Sequence, residues 1–234
     1  MSLLEVNRIN TGYGNKQVLF DVSLNVEEGD IVLLIGSNGS GKSTLLKAIC
    51  GMTPTWSGSV GFEGRILQGE KVVSPTSSLL RQGILYIPQK NALFEDASVK
   101  ENLEFSLLHL SNRKKIGARI DEVLETIPSL KPLLKQQASR LSGGEKKMLS
   151  LGMVMANRPK LLLYDEPLAG VSEDNIPQVL DILGKLSKDG TTMLIVEHHV
   201  LEMMQFAHKT YGLRLGRMAD EPVHSIEQIK EIMI

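Results

Sequence analysis

The apolar run Ile31–Ile35 leads directly into a glycine-rich sequence, Gly36-Ser37-Asn38-Gly39-Ser40-Gly41-Lys42-Ser43. Five consecutive apolar residues are typical of a parallel strand buried on both faces, and residues 42–50 are predicted to form a helix. The sequence therefore matches the eight-position phosphate-loop pattern in the context that this pattern requires. We predict that backbone N–H groups of the loop surround phosphate oxygens, that Lys42 reaches the β and γ phosphates, and that Ser43 ligates Mg²⁺.

The rest of the chain predicts an α/β fold that is interrupted once. Strands are expected at 3–9 and 17–26, as an antiparallel pair, and at 58–62 and 83–87. Residues 101–137 show helical periodicity without a convincing strand, which indicates a helical insertion. The β-α alternation of a parallel sheet then returns, with helices at 145–157, 174–188 and 200–207 and strands at 161–164 and 191–196.

Composition excludes several classes of protein. The 26 Lys and Arg nearly balance the 27 Asp and Glu, so the chain lacks the basic surface of a duplex nucleic-acid binder. No apolar stretch approaches the roughly 20 residues that a membrane-spanning helix needs, and the first ten residues do not read as a signal peptide. The single cysteine, Cys50, fits a reducing compartment. We therefore expect a cytoplasmic protein without nucleic-acid partners.

Two carboxylates follow a second apolar strand, in the sequence Leu161-Leu162-Leu163-Tyr164-Asp165-Glu166. Open α/β sheets bind their ligands at the carboxyl ends of their strands, which is where these side chains are expected. Asp165 suits a second contact to Mg²⁺, and Glu166 could polarise a water molecule in line with the γ phosphate.

A second anion-binding helix start is predicted at Leu141-Ser142-Gly143-Gly144-Glu145. Ser142 is a good N-cap, and the two glycine N–H groups can point at an anion. The simplest way to use two phosphate sites in one chain is that each serves the same nucleotide from a different subunit. ATP would then join two subunits head to tail.

In their order and spacing, these motifs resemble those of the ATP-binding cassette (ABC) ATPases over nearly the whole chain. The resemblance identifies residues 141–145 as the signature motif and Asp165-Glu166 as the second nucleotide-binding motif. It also implies that Gln89 is the glutamine-loop residue, a metal ligand and a catalytic residue, and that His198 is the switch histidine. Tyr13 is expected to stack on adenine, and Thr44 completes the ATP-binding loop.

The resemblance implies one ABC ATPase domain over 1–234, with a P-loop (RecA-like) core, a small antiparallel β layer and an inserted helical subdomain. The core would comprise 1–90 and 156–234, and the helical subdomain with the signature motif 91–155. The catalytic residues would be Lys42, Gln89, Glu166 and His198.

Within this family the chain is most similar to the ATPases of branched-chain amino-acid and amide or urea importers. This implies a motor on the cytoplasmic face of the membrane that works with permease subunits and an extracytoplasmic solute-binding protein. Its partner cassette would be a second copy or a related chain. The helical insertion is the expected docking surface, although Leu93, Phe94 and Val99 could instead serve local packing.

Two positions depart from the usual family pattern, and two alternative functions remain open from the sequence. Glu145 stands where many cassettes have Gln, so it could weaken contact with an anionic ligand, and Ser172 occupies the position of an aspartate that ends the D-loop. The first alternative is an ATP-gated clamp on a soluble assembly. The second is a phosphate-loop kinase for a small molecule, which would leave the signature motif unexplained.

Overall fold

A computed structural model describes residues 2–70, 72–90, 92–110, 112–219, 223 and 226–233. Residue 91, the predicted start of the helical subdomain, lies outside the described residues. The strands are β1 (Ser2–Tyr13), β2 (Lys16–Glu27), β3 (Ile31–Ile35), β4 (Thr55–Phe62), β5 (Arg65–Gly69), β6 (Ile84–Ile87), β7 (Leu161–Asp165), β8 (Thr192–Val196), β9 (Lys209–Arg214) and β10 (Arg217–Met218). The helices are α1 (Lys42–Ile49), α2 (Thr76–Leu79), α3 (Val99–Ser106), α4 (Arg113–Thr126), α5 (Gly143–Asn157), α6 (Ile176–Lys188), α7 (Val200–Met204) and α8 (Ile226–Met233).

The predicted α/β sheet is confirmed, and its strands follow the order β10-β9-β3-β8-β7-β6. The pairs from β9 to β6 are parallel, and β10 is antiparallel to β9. Every residue of β3, β7 and β8 is buried, as their apolar sequences predict for strands covered on both faces. Because these strands are parallel, the segments that follow them meet at one edge of the sheet.

The antiparallel β layer is also confirmed, with the strand order β2-β1-β4-β5. The turn between β1 and β2 is tight, since Tyr13 pairs with Lys16. One hydrophobic core joins this layer to α1 and to one face of the central sheet; it includes Val6, Leu24, Leu45 and Leu163. The layer therefore packs behind the helix that follows the phosphate loop.

The helical insertion consists of α3, α4 and α5, with short 3-10 turns at Pro128–Leu133 and Ala138–Arg140 between α4 and α5. Its apolar side chains share one hydrophobic core with the face of the central sheet that is turned away from the β layer. Leu103 and Val123 of the insertion and Leu162 of the sheet belong to this core. Gly152 allows a close approach inside this segment, because a Cβ there would lie 2.9 Å from Val123 Cγ1. The helices are thus packed onto the sheet without a separate core.

Several elements were not predicted: β5, α2, β9, β10 and α8. The strand β9 pairs with β3 although it contains Lys209 and Gly212, and this mixed composition gives little strand signal. Helix α7 ends at Met204, before the predicted limit of 207. Within the described ranges, every helix is too short or too polar to cross a lipid bilayer.

Candidate nucleotide-binding and hydrolytic site

The loop between β3 and α1 closes around the Lys42 side chain. Lys42 is 5% exposed, and its Nζ donates to the carbonyl oxygens of Gly36, at 2.8 Å, and Ser37, at 3.1 Å. Gly39 and Gly41 have φ angles of 80° and 109°, which L side chains rarely adopt. Gly41 cannot cap α1 with a side chain, so N–H groups of the first helical turn remain available to an anion.

Electrostatics at Lys42 are set by burial and by two carboxylates. Burial lowers the pKa of Lys42, and the negative charges of Glu166 and Asp165 oppose this shift. A cation in a partly buried site attracts an anionic ligand more strongly than one in water. The loop therefore offers the charge and the geometry that a polyphosphate requires.

A cavity of about 260 Å³ opens beside this loop. It brings together much of the predicted ATP-binding set with Gln89, Glu166 and His198, and it is lined by Val18, Asn38, Gly39, Gly41, Lys42, Ser43, Thr44, Gln89, Glu166 and His198. Gly36, Ser37 and Ser40 belong to the same loop but do not line the cavity. Tyr13, at the end of β1, is 49% exposed, and its hydroxyl lies 3.5 Å from Thr44 Oγ1. An aromatic face is thus available next to the phosphate loop.

Asp165 ends β7 and has the properties of a metal ligand. It is 3% exposed, and its Oδ1 atom has no hydrogen-bond partner among the described residues. Burial raises the pKa of Asp165, whereas a hydrogen bond with Ser43 and the charge of Lys42 lower it. A buried carboxylate oxygen without a partner, next to a serine hydroxyl, fits Mg²⁺, which prefers oxygen ligands and completes its shell with water and phosphate.

Glu166 occupies the centre of a group of three polar side chains. Gln89 Nε2 donates to Glu166 Oε2, and His198 Nε2 lies 3.1 Å from Glu166 Oε1. The residues come from three parallel strands, because Gln89 follows β6, Glu166 follows β7 and His198 follows β8. The sheet order places these strands side by side, which explains why residues far apart in sequence meet here.

The signature motif lies outside the cavity, at the start of α5. Ser142 caps α5 by accepting from Glu145 N at 3.3 Å, while Ser142 N and Ser142 Oγ both donate to Glu145 Oε2 at 2.8 Å. This capping box gives Glu145 a structural role, because its carboxylate is directed at Ser142. Gly143 and Gly144 pack close to the segment that follows β7. A Cβ on Gly143 would lie 3.3 Å from Gly170 O.

The remaining residues of the signature motif and the D-loop are also located. Leu141 is buried and belongs to the hydrophobic core shared by the helical insertion. Ser172 is exposed and accepts a hydrogen bond from Asn175 Nδ2 at 2.9 Å. Because the signature motif does not line the phosphate-loop cavity, the two predicted anion sites of one chain are separate.

The sequence left open whether Leu93, Phe94 and Val99 serve docking or local packing, and the three residues differ in their burial. Val99 is fully buried and Leu93 packs against the same core, so both contribute to local packing. Phe94 is 57% exposed and stands edge to face against Phe105, with ring centroids 5.5 Å apart. Of the three, Phe94 presents an apolar surface to solvent.

Two charged residues that contact this site, Glu197 and Lys147, were not predicted from the sequence. Glu197 is 1% exposed and accepts the N–H groups of His198 and Leu168, and Lys147 Nζ donates to the carbonyl oxygen of Glu166. The signal for Glu197 was present, since it follows the buried strand β8 as Asp165 and Glu166 follow the core of β7. Buried charges are uncommon unless they are paired.

Comparisons with known proteins agree with this geometry. Residues 19–169 match the family model described as ABC transporter. The high-affinity branched-chain amino acid transport ATP-binding protein BraG of Pseudomonas aeruginosa is 38% identical over 216 residues, which cover 92% of this chain and 91% of that protein. The probable branched-chain amino acid transport ATP-binding protein LivF of Archaeoglobus fulgidus is 34% identical over 93% of this chain and 90% of its own length.

A solved structure gives the same result for the fold. The nucleotide-free ATP-binding cassette from an ABC transporter superposes with a TM-score of 0.83 and is 28% identical, covering 99% of this chain and 95% of that one. The folds agree over nearly the full length of both chains. None of these comparisons favours a clamp on a soluble assembly.

Proposed function

Because the chain belongs to the ABC transporter family and is an ATP-hydrolysing subunit of it, we propose that Glu166 is the general base of hydrolysis. The observation that carries this proposal is the position of its carboxylate. Glu166 lines the phosphate-loop cavity, while Gln89 and His198 contact its two oxygens. A base must lie within hydrogen-bond reach of the proton that it removes, and Glu166 faces the space where water would attack.

The phosphate loop would bind ATP through charge and backbone donors. Lys42 exchanges its contacts with Gly36 and Ser37 for oxygens of the β and γ phosphates, because an anion is a stronger acceptor than a carbonyl group. The N–H groups of the loop and of the first turn of α1 surround the same phosphates. Tyr13 supplies a ring face for adenine, and Thr44 lies between that ring and the loop.

Three residues would hold Mg²⁺ beside the phosphates. Ser43 contributes its hydroxyl and Asp165 its unpartnered Oδ1. Gln89 donates its amide nitrogen to Glu166, which leaves its amide oxygen for the metal. When bound, Mg²⁺ neutralises charge on the β and γ phosphate oxygens.

Hydrolysis then depends on Glu166 and His198. Glu166 accepts a proton from the attacking water, and its carboxylate is directed by the donors on either side. His198 Nε2, 3.1 Å from Glu166, can donate to the carboxylate or to the γ phosphate. Glu166 and His198 would thus contribute positioning and charge stabilisation, which supply most of the catalysis in phosphoryl transfer.

A second cassette would complete each nucleotide site. The residues Ser142, Gly143 and Gly144 do not line the phosphate-loop cavity of their own chain. They stand at the start of the fifteen-residue helix α5, where Ser142 and Gly143 are exposed. Two cassettes facing each other head to tail would place the signature motif of each against the ATP of the other. ATP favours the closed pair and ADP does not, so hydrolysis would reopen it.

The permease would dock on the exposed apolar surface of the helical insertion. Phe94, Phe105 and Leu108 are 57%, 40% and 74% exposed, and they lie along the segment that follows Gln89. A short apolar segment of a permease subunit fits this surface. Movement of that segment would be transmitted to the nucleotide site through Gln89. Replacing Phe105 and Leu108 by Ser should release the permease, while Ile66→Ser, at an exposed apolar position of β5, should not.

The transported solute is proposed from the relatives. Both BraG and LivF are named as branched-chain amino acid transport proteins, so a branched-chain amino acid or a related small polar solute is the proposed cargo. An extracytoplasmic binding protein would deliver it, and this chain would act on the cytoplasmic face. Stimulation of ATP hydrolysis in the assembled transporter by leucine, isoleucine or valine, with the binding protein present, tests this proposal.

The Glu166→Gln variant tests the catalytic proposal. The amide cannot accept a proton, so turnover should fall by about 10²- to 10⁴-fold while ATP affinity stays within about threefold. Glu125→Gln, an exposed substitution on α4, should leave both unchanged. Normal turnover of Glu166→Gln would remove Glu166 from the role of general base.

A further inference from the structure

The backbone of Glu166 has an unusual conformation. Its φ angle is 54°, in the left-handed region that residues with a side chain rarely adopt. The N–H group of Glu166 donates to Val196 O at 2.8 Å, which ties it to the end of β8. Strained backbone persists only where the surrounding structure holds it, and such residues cluster at active sites.

Glu197 connects the loop of Glu166 with the loop of His198. One carboxylate oxygen of Glu197 accepts from the N–H groups of His198, at 2.8 Å, and His199, at 3.2 Å. The other oxygen accepts from Leu168 N at 2.9 Å, two residues after Glu166. Because Glu197 is almost fully buried, water cannot replace these bonds, and charge-assisted bonds of this kind are the stronger ones.

Lys147 holds Glu166 from a different element. It is half-buried on α5, and its Nζ donates to the carbonyl oxygen of Glu166 at 3.1 Å and lies 5.4 Å from the centre of the Tyr164 ring. Burial lowers the pKa of Lys147, and the charges of Glu197 and Glu166 act in the opposite direction. Lys147 therefore lies in the electrostatic field of both carboxylates, while its hydrogen bond is to the Glu166 backbone.

We propose that Glu197 and Lys147 are positioning residues for hydrolysis, which together hold Glu166 in its strained conformation and at its distance from His198. Glu197 joins the two loops, and Lys147 fixes the Glu166 carbonyl from α5. This inference rests on the proposed catalytic role of Glu166. It also has a consequence within one chain: α5 begins with the signature motif, so Lys147 links that motif to the chain's own hydrolytic centre.

Isosteric and conservative variants of the full chain test this proposal. Glu197→Gln replaces one acceptor oxygen by a donor, so at least one buried N–H group of the two loops loses its partner. Lys147→Met keeps the length of the side chain and removes the ammonium group. Displacing a catalytic group by about 1 Å can cost 10²-fold, so we expect kcat to fall about 10- to 100-fold in each variant.

The split between kcat and KM separates positioning from general damage. KM for ATP and the thermal midpoint should remain close to those of the parent, and Lys147→Arg, which restores a charged donor, should recover most of kcat. Lys146→Met is the matched control, because among the described residues the neighbouring lysine on α5 pairs only with the exposed Glu95. Its kcat should equal that of the parent.

Four outcomes decide the matter. Parent-like kcat in Glu197→Gln and Lys147→Met overturns the proposal, and so does a loss of kcat accompanied by an equal loss of ATP binding. If Glu197→Gln does not fold, the comparison of Lys147→Met with Lys147→Arg decides alone. Because Glu166→Gln is measured in parallel, activity retained in that variant would instead overturn the proposed role of Glu166.

Discussion

Two helix N-termini in this chain are predicted to bind phosphate, and they differ in how complete they are. The phosphate loop encloses the Lys42 ammonium group, which is buried and bonded to the carbonyl oxygens of Gly36 and Ser37. The signature motif is exposed at Ser142 and Gly143, and within the described part of the chain the Ser142 side chain bonds only to Glu145 of its own capping box.

The difference indicates which part of the site a single cassette can supply. A preorganised loop with a buried cation can bind a polyphosphate alone, because little has to be reordered. An exposed helix start without a cation adds little until a second surface removes it from water. We therefore propose that the phosphate loop is the binding half of a site and the signature motif its completing half, which would act on a nucleotide held by another cassette.

The largest effect is expected at the phosphate loop. Lys42→Ala removes a charge-assisted contact, so ATP affinity should fall about 10- to 100-fold and turnover further. Calorimetric titration with ATP measures the first and steady-state kinetics the second. Lys188→Ala, exposed at the end of α6, is the control. An unchanged dissociation constant in Lys42→Ala would contradict the assignment of the binding half.

A different pattern is expected at the signature motif. Ser142→Ala should lower turnover about tenfold while ATP affinity of the isolated chain stays the same, because Ser142 is proposed to contact the nucleotide of a second cassette. Loss of the cap should also destabilise the chain by about 1 kcal/mol.

The chain contains a matched control for this change. Ser98 caps α3 in an equivalent capping box with Glu101, so Ser98→Ala should lose similar stability in thermal melts without losing turnover. Equal turnover in the two variants would contradict a role for Ser142 beyond its helix cap.

Adenine contact should contribute less than the phosphates. Base stacking on an aromatic ring is worth about 1 to 3 kcal/mol, and Tyr13 is half exposed, so Tyr13→Ala should weaken ATP binding about fivefold to tenfold. Tyr13→Phe should bind as the parent does, because the hydroxyl makes only a long contact with Thr44. If Tyr13→Phe were as weak as Tyr13→Ala, the hydroxyl rather than the ring would make the contact.

The smallest effect concerns a thiol behind the phosphate loop. Cys50 caps the end of α1 and is 1% exposed, and burial raises its pKa to about 12. At pH 8 the group stays protonated, since a raised pKa delays loss of the proton until alkaline pH, so iodoacetamide should leave native Cys50 unmodified. A cysteine introduced by Ser172→Cys, beside the open signature motif, should react readily under the same conditions. Rapid labelling of native Cys50 would contradict the close packing of the binding half.

Sequence patterns predicted the parts of the fold in which local signal and burial agree. The apolar runs of β3, β7 and β8 predicted the parallel sheet. The loop after β3 and the end of β7 predicted Lys42, Asp165 and Glu166, whereas His198 was predicted only through the family resemblance. Strand β9 was missed because its register comes from β3 and not from its own composition. Tertiary pairing overrides weak strand propensity in such cases.

At the candidate site, residue types were predictable and supporting contacts were not. The charge of Glu145 suggested repulsion of a ligand, whereas the structure uses it to cap α5. The contacts of Lys147 with Glu166 and of Glu197 with Leu168 join segments that are 19 and 29 positions apart. No local pattern encodes such contacts, because the first depends on how α5 packs against the sheet and the second on how the segments after β7 and β8 pack together.

Two cassettes are proposed to share each ATP. The most direct measurement uses tagged Glu166→Gln chain, isolated with MgATP from cells that contain its natural partners, with the number of cassettes per particle determined by light scattering and mass spectrometry. We predict two cassettes, either two copies of this chain or this chain with a related one, together with permease subunits. A particle that holds ATP in a single cassette, and keeps it after Ser142→Ala, would contradict the account.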